Sequence, residues 1–297
     1  MLVAVEATRF ARDTRGMGRY VRALVPRLIS SRSRLSVELF VNGDDQTSFA
    51  NAWHASSGIP LSRLAVRPIA DLPRSGADVF WYPWNYADPL PARGPVVITI
   101  HDVAPIALPD PRLSAVFRNL LWRRRYARAA ANATVVVTVS EFTACEVERL
   151  LGVSRGRIRV THLGPDDYST GAGAGAGAGA GSAAGEAVGS TTLDGGADAA
   201  VLTRMGVRQP YILTVGADDR RKDLDTAVRA VARIASTGRR ISLVQAGNRR
   251  RRNSPAGHDW IVPLGYVEQR DLAALYRNAA AVAIPSIYGG FGLPLLE

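Results

Sequence analysis

One lysine is the first candidate in this sequence for a residue with a chemical role. Of the 37 basic residues in the chain, only Lys222 is a lysine, and it stands beside Arg221 in the segment GADDRRKD. A lysine offers a compact point charge where an arginine offers a planar fork, so we expect this position to need the point charge. Two adjacent cations at a strand-to-helix junction suit a phosphate group, because charge-assisted hydrogen bonds to phosphate are strong. The alternative is that a single lysine persists by chance.

The end of the chain, AVAIPSIYGGFGLPLLE, has a second pattern that suits an anion. Its apolar run, Ala281–Ile284, is long enough for a buried strand, and the glycines that follow let the backbone approach a ligand closely. Pro294 fits the first position of a helix, and the N–H groups at a helix start favour an anion. Glu297, about one turn later, would point a carboxylate at nearby hydroxyl groups, as acidic residues do with a ribose. The alternative is an ordinary strand-to-helix turn, since the stretch matches neither a P-loop nor G-x-G-x-x-G.

A histidine in the first half of the chain occupies a comparable position. The apolar run Val96–Ile100 predicts a strand, and His101 and Asp102 follow it directly. In open α/β sheets, ligands bind beyond the carboxyl ends of the strands, so both residues are candidate catalytic residues. The alternative role for His101 is a hydrogen bond that anchors the loop.

The elements that position these residues follow from the apolar pattern. Leu2–Ala7 predicts a first strand, the loop TRGMGRY contains Gly16 and Gly18, and apolar residues spaced three and four apart then predict a helix. Strand, glycine loop and helix form the first unit of a nucleotide-binding-like α/β domain. Further strands are predicted at Leu35–Val41, Asp78–Tyr82, Thr134–Val139, Arg157–Leu163, Tyr211–Val215, Ile241–Ala246 and Ile261–Leu264.

A break in composition divides the chain. From Gly171 to Gly181 glycine alternates with alanine, and low complexity continues towards Ala200. Residues of this kind cannot bury a core, so we expect a flexible linker. The sequence therefore predicts an N-terminal α/β domain over residues 1–167, a linker over residues 168–206 and a C-terminal α/β domain over residues 207–297.

Net charge and cysteine content limit the classes of partner and the cellular compartment that we expect. The formal net charge of +11 favours an anionic partner, which could be a nucleotide, a phospholipid surface or a nucleic acid. No basic groove with interleaved aromatic residues is evident, so nucleic acid is not an expected partner. Cys145 is the only cysteine, the start has no signal-peptide pattern, and no apolar run reaches the length of a membrane span. We therefore expect a cytoplasmic protein.

An arginine-rich amphipathic helix is predicted within the first domain. Its apolar stripe consists of Leu113, Val116, Phe117, Leu120 and Leu121. Its basic residues are Arg112, Arg118, Arg123, Arg124, Arg125 and Arg128. One interpretation is a solvated basic face over a packed apolar stripe. The other is a peripheral contact with anionic lipid at the inner face of the membrane, because basic amphipathic helices bind such surfaces.

Several of these segments resemble one family. The stretch Ser286 to Glu297 is similar to the donor-site signature of the family-4 glycosyltransferases, which reads proline, serine, two variable residues and then E-G-F-G-L-P-x-L-E. Gly289 replaces the first glutamate here, and Glu297 matches the second. The segments TRGMGRY, VVITIHDVAP, GADDRRKD and TVSEFTACEVERLLGVSRGRIRVTHLG resemble further parts of the family pattern. The likeness covers nearly the whole chain except the linker and roughly residues 42–76.

The resemblance implies the GT-B fold, in which two doubly wound, Rossmann-like α/β domains face a cleft. The first domain would lie on the acceptor side, and the second would bind the donor nucleotide. The implied reaction moves a sugar, with retention, from a nucleotide diphosphate sugar to a sugar, lipid-linked or polysaccharide acceptor, with no cofactor and no bound metal. A hydrolase is poorly supported, because no pair of carboxylates has a clear acid–base role.

The resemblance also implies a role for individual residues. His101 would contact the transferred sugar, and Glu297 would hold the ribose. Arg221, Lys222 and the helix start at Phe291 and Gly292 would hold the leaving diphosphate and stabilise its developing charge. The other implied donor contacts are Gly16, Gly18, Gly216, Tyr266 and Val267.

Two further expectations concern completeness and activity. A second domain of this family has about six parallel strands and this sequence predicts four, so we expect a C-terminally truncated form of a longer protein. Such a chain should have an unstable second domain and little transfer activity. The rival class is a non-catalytic relative that binds a nucleotide or a membrane, which the glycine at position 289 favours.

Overall fold

The computed structural model describes residues 1–9, 16–43, 61–164, 195–217, 219–247 and 259–296, together with residues 50 and 53. The chain divides into two compact units. The first contains Met1–Leu163, and the second contains the described residues from Gly195 onwards. Each unit is built on a parallel sheet, as the alternation of apolar runs and helical stripes predicts.

The described part of the first unit has a sheet of seven strands. They are β1 (Leu2–Glu6), β2 (Ser36–Val41), β3 (Leu64–Pro68), β4 (Val79–Tyr82), β5 (Val96–Ile100), β6 (Val135–Thr138) and β7 (Ile158–Val160). All neighbours pair in parallel, in the order β3-β2-β1-β4-β5-β6-β7. The winding direction therefore reverses between β1 and β4, and doubly wound sheets bind ligands beyond the carboxyl ends of strands at such a reversal.

The helices described in this unit are α1 (Gly16–Ser31), α2 (Ala104–Ala107), α3 (Val116–Asn132) and α4 (Glu141–Leu151). The apolar stripe predicted for α1 is confirmed, because Val21, Val25 and Ile29 lie buried in the core of the unit. Ser140 caps the start of α4, since its hydroxyl accepts a hydrogen bond of 3.1 Å from the Thr143 N–H.

The second unit has the smaller sheet within the described residues. Its strands are β8 (Tyr211–Val215), β9 (Ser242–Ala246), β10 (Ile261–Gly265) and β11 (Ala281–Val282), and its helices are α5 (Gly195–Arg204), α6 (Leu224–Ala235) and α7 (Gln269–Asn278). All neighbouring strands are parallel, in the order β10-β9-β8-β11. The winding direction here reverses between β8 and β11.

Two edge strands differ from the sequence-based prediction. No strand is predicted at β3, whose short sequence LAVRP has only Leu64 buried and pairs on one side only, with β2. The run at β11 is predicted to be a buried strand, and this is wrong. Ala281 and Val282 are exposed, because β11 pairs only with β8 at the edge of the sheet.

Helix α5 lies inside the segment that the sequence predicts as linker. The carboxylate of Asp198 accepts hydrogen bonds from Arg277 and Asn278 of α7, at 2.5 and 2.9 Å, and Leu202 is buried in the core of the second unit. The Arg277 guanidinium holds the pKa of Asp198 below its usual value. From Gly195 onwards, the chain is therefore part of the second unit, whereas residues 165–194 lie outside the described residues.

The apolar stripe of the arginine-rich helix is not packed, so the interpretation of a basic face over a packed stripe is wrong. Leu113 is 90% exposed and Phe117 is 71% exposed, and the other three residues of the stripe are exposed as well. Helix α3 instead buries Tyr126, Ala129 and Ala130 from its second half. None of the helices in the described part of the chain combines the length and the apolar composition that spanning a bilayer requires.

The close approach of two glycines in the second unit gives a test of its packing. A Cβ atom on Gly247 would lie 2.0 Å from the carbonyl oxygen of Gly216, and Gly247 has a φ of 146°. We expect Gly247→Ala to lower the free energy of unfolding by about 3 kcal/mol or more, because backbone strain and overpacking add. Urea unfolding measures the loss, and hydrogen exchange of β8 and β9 assigns it to the second unit.

Gly289→Ala is the matched control for this variant. A Cβ atom there meets no other heavy atom within 4 Å, and its φ is not positive. This control should change the free energy of unfolding by well under about 1 kcal/mol. Equal effects of the two substitutions would contradict the packing described for Gly247.

Candidate active site

A small pocket in the second unit brings several of the sequence-predicted residues together. It lies where β8 and β11 end, at the reversal of winding in this sheet. It is lined by Thr214, Val215, Gly216, Ala217, Lys222, Leu224, Gln245, Ala283, Ile284, Pro285 and Ser286. The predicted phosphate segment and the start of the C-terminal glycine turn therefore meet in one place.

The position of Lys222 is set by a turn that Asp219 caps. The Asp219 carboxylate accepts hydrogen bonds from the N–H groups of Arg221 and Lys222, at 3.0 and 3.2 Å, and so starts the 3-10 helix Arg220–Lys222. Asp223 follows with a φ of 44°, a left-handed conformation that Asp and Asn tolerate best after glycine. The alkyl chain of Lys222 then lies beside Gly216, where a Cβ atom would come within 3.4 Å of Cε.

Arg221 joins the two motifs through its backbone. Its carbonyl accepts a hydrogen bond of 2.8 Å from the N–H of Ile287, the residue after Ser286. Its guanidinium lies 3.2 Å from the Asp219 carboxylate. Arg221 therefore holds the glycine turn next to the lysine, and its side chain is oriented by an ion pair in this structure.

Two buried hydroxyl groups in the pocket were missed by the sequence analysis as binding groups. Thr214 Oγ1 and Ser286 Oγ are both buried, and neither has a hydrogen-bond partner among the described residues. Buried polar atoms are nearly always paired, because leaving one unpaired costs about 1–3 kcal/mol. An oxyanion in the pocket would supply the missing acceptor for both. In the sequence, a threonine inside an apolar strand and a serine after a strand give no signal of a binding role.

The other predicted donor contacts that the structure describes in this unit lie outside this pocket. Val267 packs its side chain in the core of the second unit, and Tyr266 is 52% exposed. Phe291 and Gly292 do not precede an α-helix: a single 3-10 turn, Leu293–Leu295, follows the left-handed Gly292. Glu297 lies outside the described residues.

His101 lies in the first unit at the carboxyl end of β5. Its backbone N–H donates to the side-chain oxygen of Asn85 at 2.6 Å, and its Nε2 lies 3.0 Å from the carbonyl oxygen of Pro83. Because a carbonyl only accepts, Nε2 carries the proton and donates it. The ring of Tyr20 lies edge-on at 5.0 Å. The ring of His101 is therefore oriented by its contacts with Pro83 and Tyr20, and its backbone is anchored by Asn85.

Asp102 has a structural contact of its own. One of its oxygens accepts a hydrogen bond of 3.0 Å from the N–H of Ala104, the first residue of α2. This contact fixes the loop that follows His101 at the end of β5.

The predicted glycine loop is partly helical, which corrects the sequence-based prediction. Gly16 and Gly18 belong to the first turn of α1, and residues 10–15 lie outside the described residues. The helix begins this early because Met17 and Tyr20 pack against the core of the first unit. Tyr20 also lies 5.9 Å from the ring of Trp81.

A buried carboxylate at the end of β1 was also missed. Glu6 is 1% exposed, and Oε1 accepts hydrogen bonds from the N–H and the hydroxyl of Thr8, whereas Oε2 has no partner among the described residues. Burial raises the pKa of Glu6 above 4.5, against the lowering effect of Thr8 and Arg9. The sequence does contain a signal for Glu6, because it is a charged residue on the buried face of an apolar strand.

Comparison with known families covers both units. The family model for glycosyltransferase family 4 matches residues 14–167, which is about half of the chain, and the model for glycosyl transferases group 1 matches residues 209–297. The chain belongs to glycosyltransferase family 4. It is 26% identical to the O-antigen chain mannosyltransferase B of Escherichia coli, over 95% of this chain and 75% of the relative.

Solved structures give the architecture of this family-4 glycosyltransferase. Starch synthase IV from Arabidopsis thaliana matches with a TM-score of 0.57 at 11% identity, covering 98% of this chain and 79% of its own. The trehalose 6-phosphate synthase of Burkholderia multivorans matches with a TM-score of 0.50 at 12% identity, covering 99% of this chain and 80% of the synthase. The fold class predicted from the sequence, a GT-B fold of two Rossmann-like units, is confirmed.

The buried Glu6 gives a pH-dependent test in this family-4 chain. Because its pKa is raised in the folded state, its stabilising contribution is complete below 4.5 and is lost as the pH rises through the folded-state pKa. Glu6→Gln should therefore flatten the fall in the free energy of unfolding between acidic and neutral pH. Urea unfolding at a series of pH values measures this slope.

Asp71→Asn serves as the control, because Asp71 is an exposed carboxyl of the same unit. Its free energy of unfolding should stay within about 0.5 kcal/mol of the wild type, as is usual for a surface substitution. If the Glu6→Gln profile runs parallel to that of the wild type, the buried carboxyl does not titrate as described.

Proposed function

We propose that the chain transfers a sugar from a nucleoside diphosphate sugar to an acceptor, with retention at the anomeric carbon and without a bound metal. The observation that carries the proposal is the pocket at the β8–β11 reversal, where Lys222 and two unpartnered buried hydroxyls line one space. These groups suit a diphosphate, because a phosphate oxygen accepts hydrogen bonds from an ammonium and from hydroxyls alike. Family membership supports sugar transfer as the reaction class.

In this proposal the second unit acts on the leaving group. Lys222, Ser286 and Thr214 bind the terminal phosphates of the donor, and their charge and dipoles stabilise the negative charge that develops as the glycosidic bond breaks. The Asp219 cap and the Arg221 carbonyl hold these groups in place before the donor binds. Preorganised donors of this kind need no rearrangement during the reaction.

The first unit acts on the sugar and the acceptor in the same proposal. His101, fixed by Asn85 and Pro83, contacts the transferred sugar at the carboxyl edge of the sheet. The relative from Escherichia coli is a mannosyltransferase of O-antigen chains, which supports a mannosyl donor and a cell-envelope polysaccharide or its lipid-linked precursor as acceptor. The solved starch synthase IV structure holds ADP, a nucleoside diphosphate.

A second candidate is a relative that binds the nucleotide without transferring the sugar. The specific observation in its favour is Gly289, where the family signature has a glutamate. A Cβ atom on Gly289 would meet no other heavy atom within 4 Å. Nucleotide binding without turnover would select this candidate.

A contact with anionic membrane is the other part of the proposal. The exposed stripe of Leu113 and α3 is an apolar surface, and Arg123, Arg124 and Arg128 on the same helix are exposed as well. Scattered single apolar residues on a surface are normal, whereas contiguous apolar surface usually marks an interaction site. Because the surrounding charge is positive, we infer that the occupant is an anionic bilayer, which offers both apolar depth and negative headgroups.

The test of the donor site is the affinity for nucleoside diphosphates. Lys222→Ala should weaken binding by about 1–3 kcal/mol, the scale of a hydrogen bond to a charged group. Lys222→Arg should recover only part of the loss, because the planar fork does not match the space beside Gly216. Calorimetric titration with a panel of nucleoside diphosphates and their sugars, mannose donors first, measures both variants.

Arg220→Ala is the control for charge, since Arg220 belongs to the same turn but does not line the pocket. It should bind nucleotide nearly as the wild type does. Unchanged affinity in Lys222→Ala, or an equal loss in Arg220→Ala, would remove the assignment of the diphosphate to this pocket.

The membrane contact is tested with vesicles. The wild type should bind anionic vesicles and dissociate at high salt, because salt screens the charges of the arginines. Phe117→Ser should weaken binding by about 1.5 kcal/mol or more, which is the burial energy of a large apolar side chain. Co-sedimentation at several salt concentrations measures the partitioning.

Phe142→Ser provides the control, because Phe142 is also an exposed phenylalanine of the first unit but lies on α4. It should leave vesicle binding unchanged. Equal binding to neutral and anionic vesicles, or binding to neither, would rule out the membrane contact.

A further inference from the structure

A cluster of two arginines around one tyrosine lies outside the pocket described for the donor. The guanidinium carbon of Arg9 lies 4.8 Å from the ring centroid of Tyr86, and that of Arg125 lies 5.6 Å from the same ring. Arg125 is also 5.7 Å from the ring of Trp122. Cations at these distances are attracted to the ring faces, so the rings hold both guanidinium groups in position.

Neither Arg9 nor Arg125 has a carboxylate within salt-bridge distance among the described residues, whereas Arg112 and Arg118 near the start of α3 both pair with Asp110 at 2.6 Å. Arg9 is attracted to the buried carboxyl of Glu6, but burial raises the pKa of that carboxyl and so disfavours its negative charge. Arg9 also hydrogen-bonds to the Tyr86 side chain, and because a guanidinium has five N–H donors, donors of both groups remain for a ligand. A phosphate group matches those donors, because its oxygens accept parallel hydrogen bonds from a planar fork.

The cluster lies where this fold binds ligands. Arg9 follows β1 and Tyr86 follows β4, and the winding of the first sheet reverses between these two neighbouring strands. His101 follows β5, which pairs with β4 on its other side. Arg9, Tyr86 and His101 therefore follow three neighbouring strands at the same edge of one sheet, and Arg125 reaches Tyr86 from α3.

The cluster also continues the exposed apolar surface of α3. Phe117, Leu121 and Arg125 are spaced four residues apart, so they follow one another along one face of the helix. Phe117 and Leu121 are exposed, at 71% and 43%. One face of α3 thus runs from the apolar surface of Phe117 and Leu121 to Arg125, which lies near the edge of the sheet where ligands bind in this fold.

We propose that Arg9, Tyr86 and Arg125 bind the phosphate of a membrane-anchored acceptor whose hydrocarbon chain lies along Phe117 and Leu121. The proposal rests on the proposed function, since it names the acceptor class of that reaction. An amphiphile with a phosphate next to its hydrocarbon chain matches both halves of the surface, whereas a free sugar or an uncharged polysaccharide matches neither. Bound in this way, the acceptor presents its head group at the edge of the sheet that holds His101.

The test compares a lipid phosphate with its uncharged analogue. Neutral phosphatidylcholine vesicles carry either dodecyl phosphate or dodecanol, and binding of the full chain to each is measured by co-sedimentation. The wild type should bind the phosphate vesicles more tightly. The double variant Arg9→Gln/Arg125→Gln should lose this preference by about tenfold or more, which corresponds to about 1.4 kcal/mol.

The matched control is Arg74→Gln/Arg93→Gln, which removes the same charge from exposed positions of the first unit outside α3. It should keep the preference for dodecyl phosphate. Equal losses in the two double variants would show an effect of net charge alone and overturn the proposal. The absence of a preference in the wild type would overturn it as well.

Two further arms separate the sources of phosphate and the dependence on the proposed function. If inorganic phosphate at the concentration of the dodecyl phosphate abolishes the preference, the site binds free phosphate and the membrane-anchored acceptor is wrong. Calorimetric binding of nucleoside diphosphates should be the same in wild type and in Arg9→Gln/Arg125→Gln. If the wild type binds no nucleotide, the proposed function is wrong. The vesicle experiment still tests the phosphate site by itself.

Discussion

The second unit depends on one close backbone approach. Gly247 packs against the carbonyl of Gly216 in a space that no Cβ atom could enter, and its N–H donates to the carbonyl of Gly265 at 2.6 Å. The Gly216 N–H donates in turn to the Ala246 carbonyl at 2.9 Å. These contacts join the carboxyl ends of β8, β9 and β10 and leave space beside Gly216 for the alkyl chain of Lys222. The pocket therefore exists because three strand ends can come together without side chains between them.

The same geometric rule organises the first unit. In a parallel sheet, every loop that leaves a carboxyl end lies along one edge, and a reversal of winding separates two of those loops. Arg9 and Tyr86 lie on either side of the reversal, and His101 lies one strand further along. The proposed acceptor contacts and the proposed sugar contact are thus a consequence of strand order.

Much of the fold could be predicted from the sequence, because buried parallel strands are continuous apolar runs. Val96–Ile100 and Tyr211–Val215 match the structure residue for residue. The lone lysine and the segment GADDRRKD predict a role for Lys222, and this residue lines a pocket in the structure. Edge elements were harder to predict: β3 has too few buried residues to give a pattern, and β11 has an apolar pattern but only one neighbouring strand.

Two other features depend on contacts that periodicity does not encode. The stripe from Leu113 to Leu121 has the spacing of a packed helix face, but the spacing does not say whether another element covers it. Thr214 and Ser286 become candidates only when burial and missing partners are known. Arg125 is one of several arginines in the sequence of α3, and only the structure shows that it alone among the described arginines of that helix lies over Tyr86.

The most direct test of the account is a crystal structure of the chain with a bound nucleoside diphosphate. The account predicts that the terminal phosphate lies within hydrogen-bond distance of Lys222 Nζ and accepts hydrogen bonds from Ser286 Oγ or Thr214 Oγ1. Those hydroxyls would then have the partners that they lack among the described residues. A nucleotide bound elsewhere, with the pocket beside Gly216 occupied by water, would contradict the account.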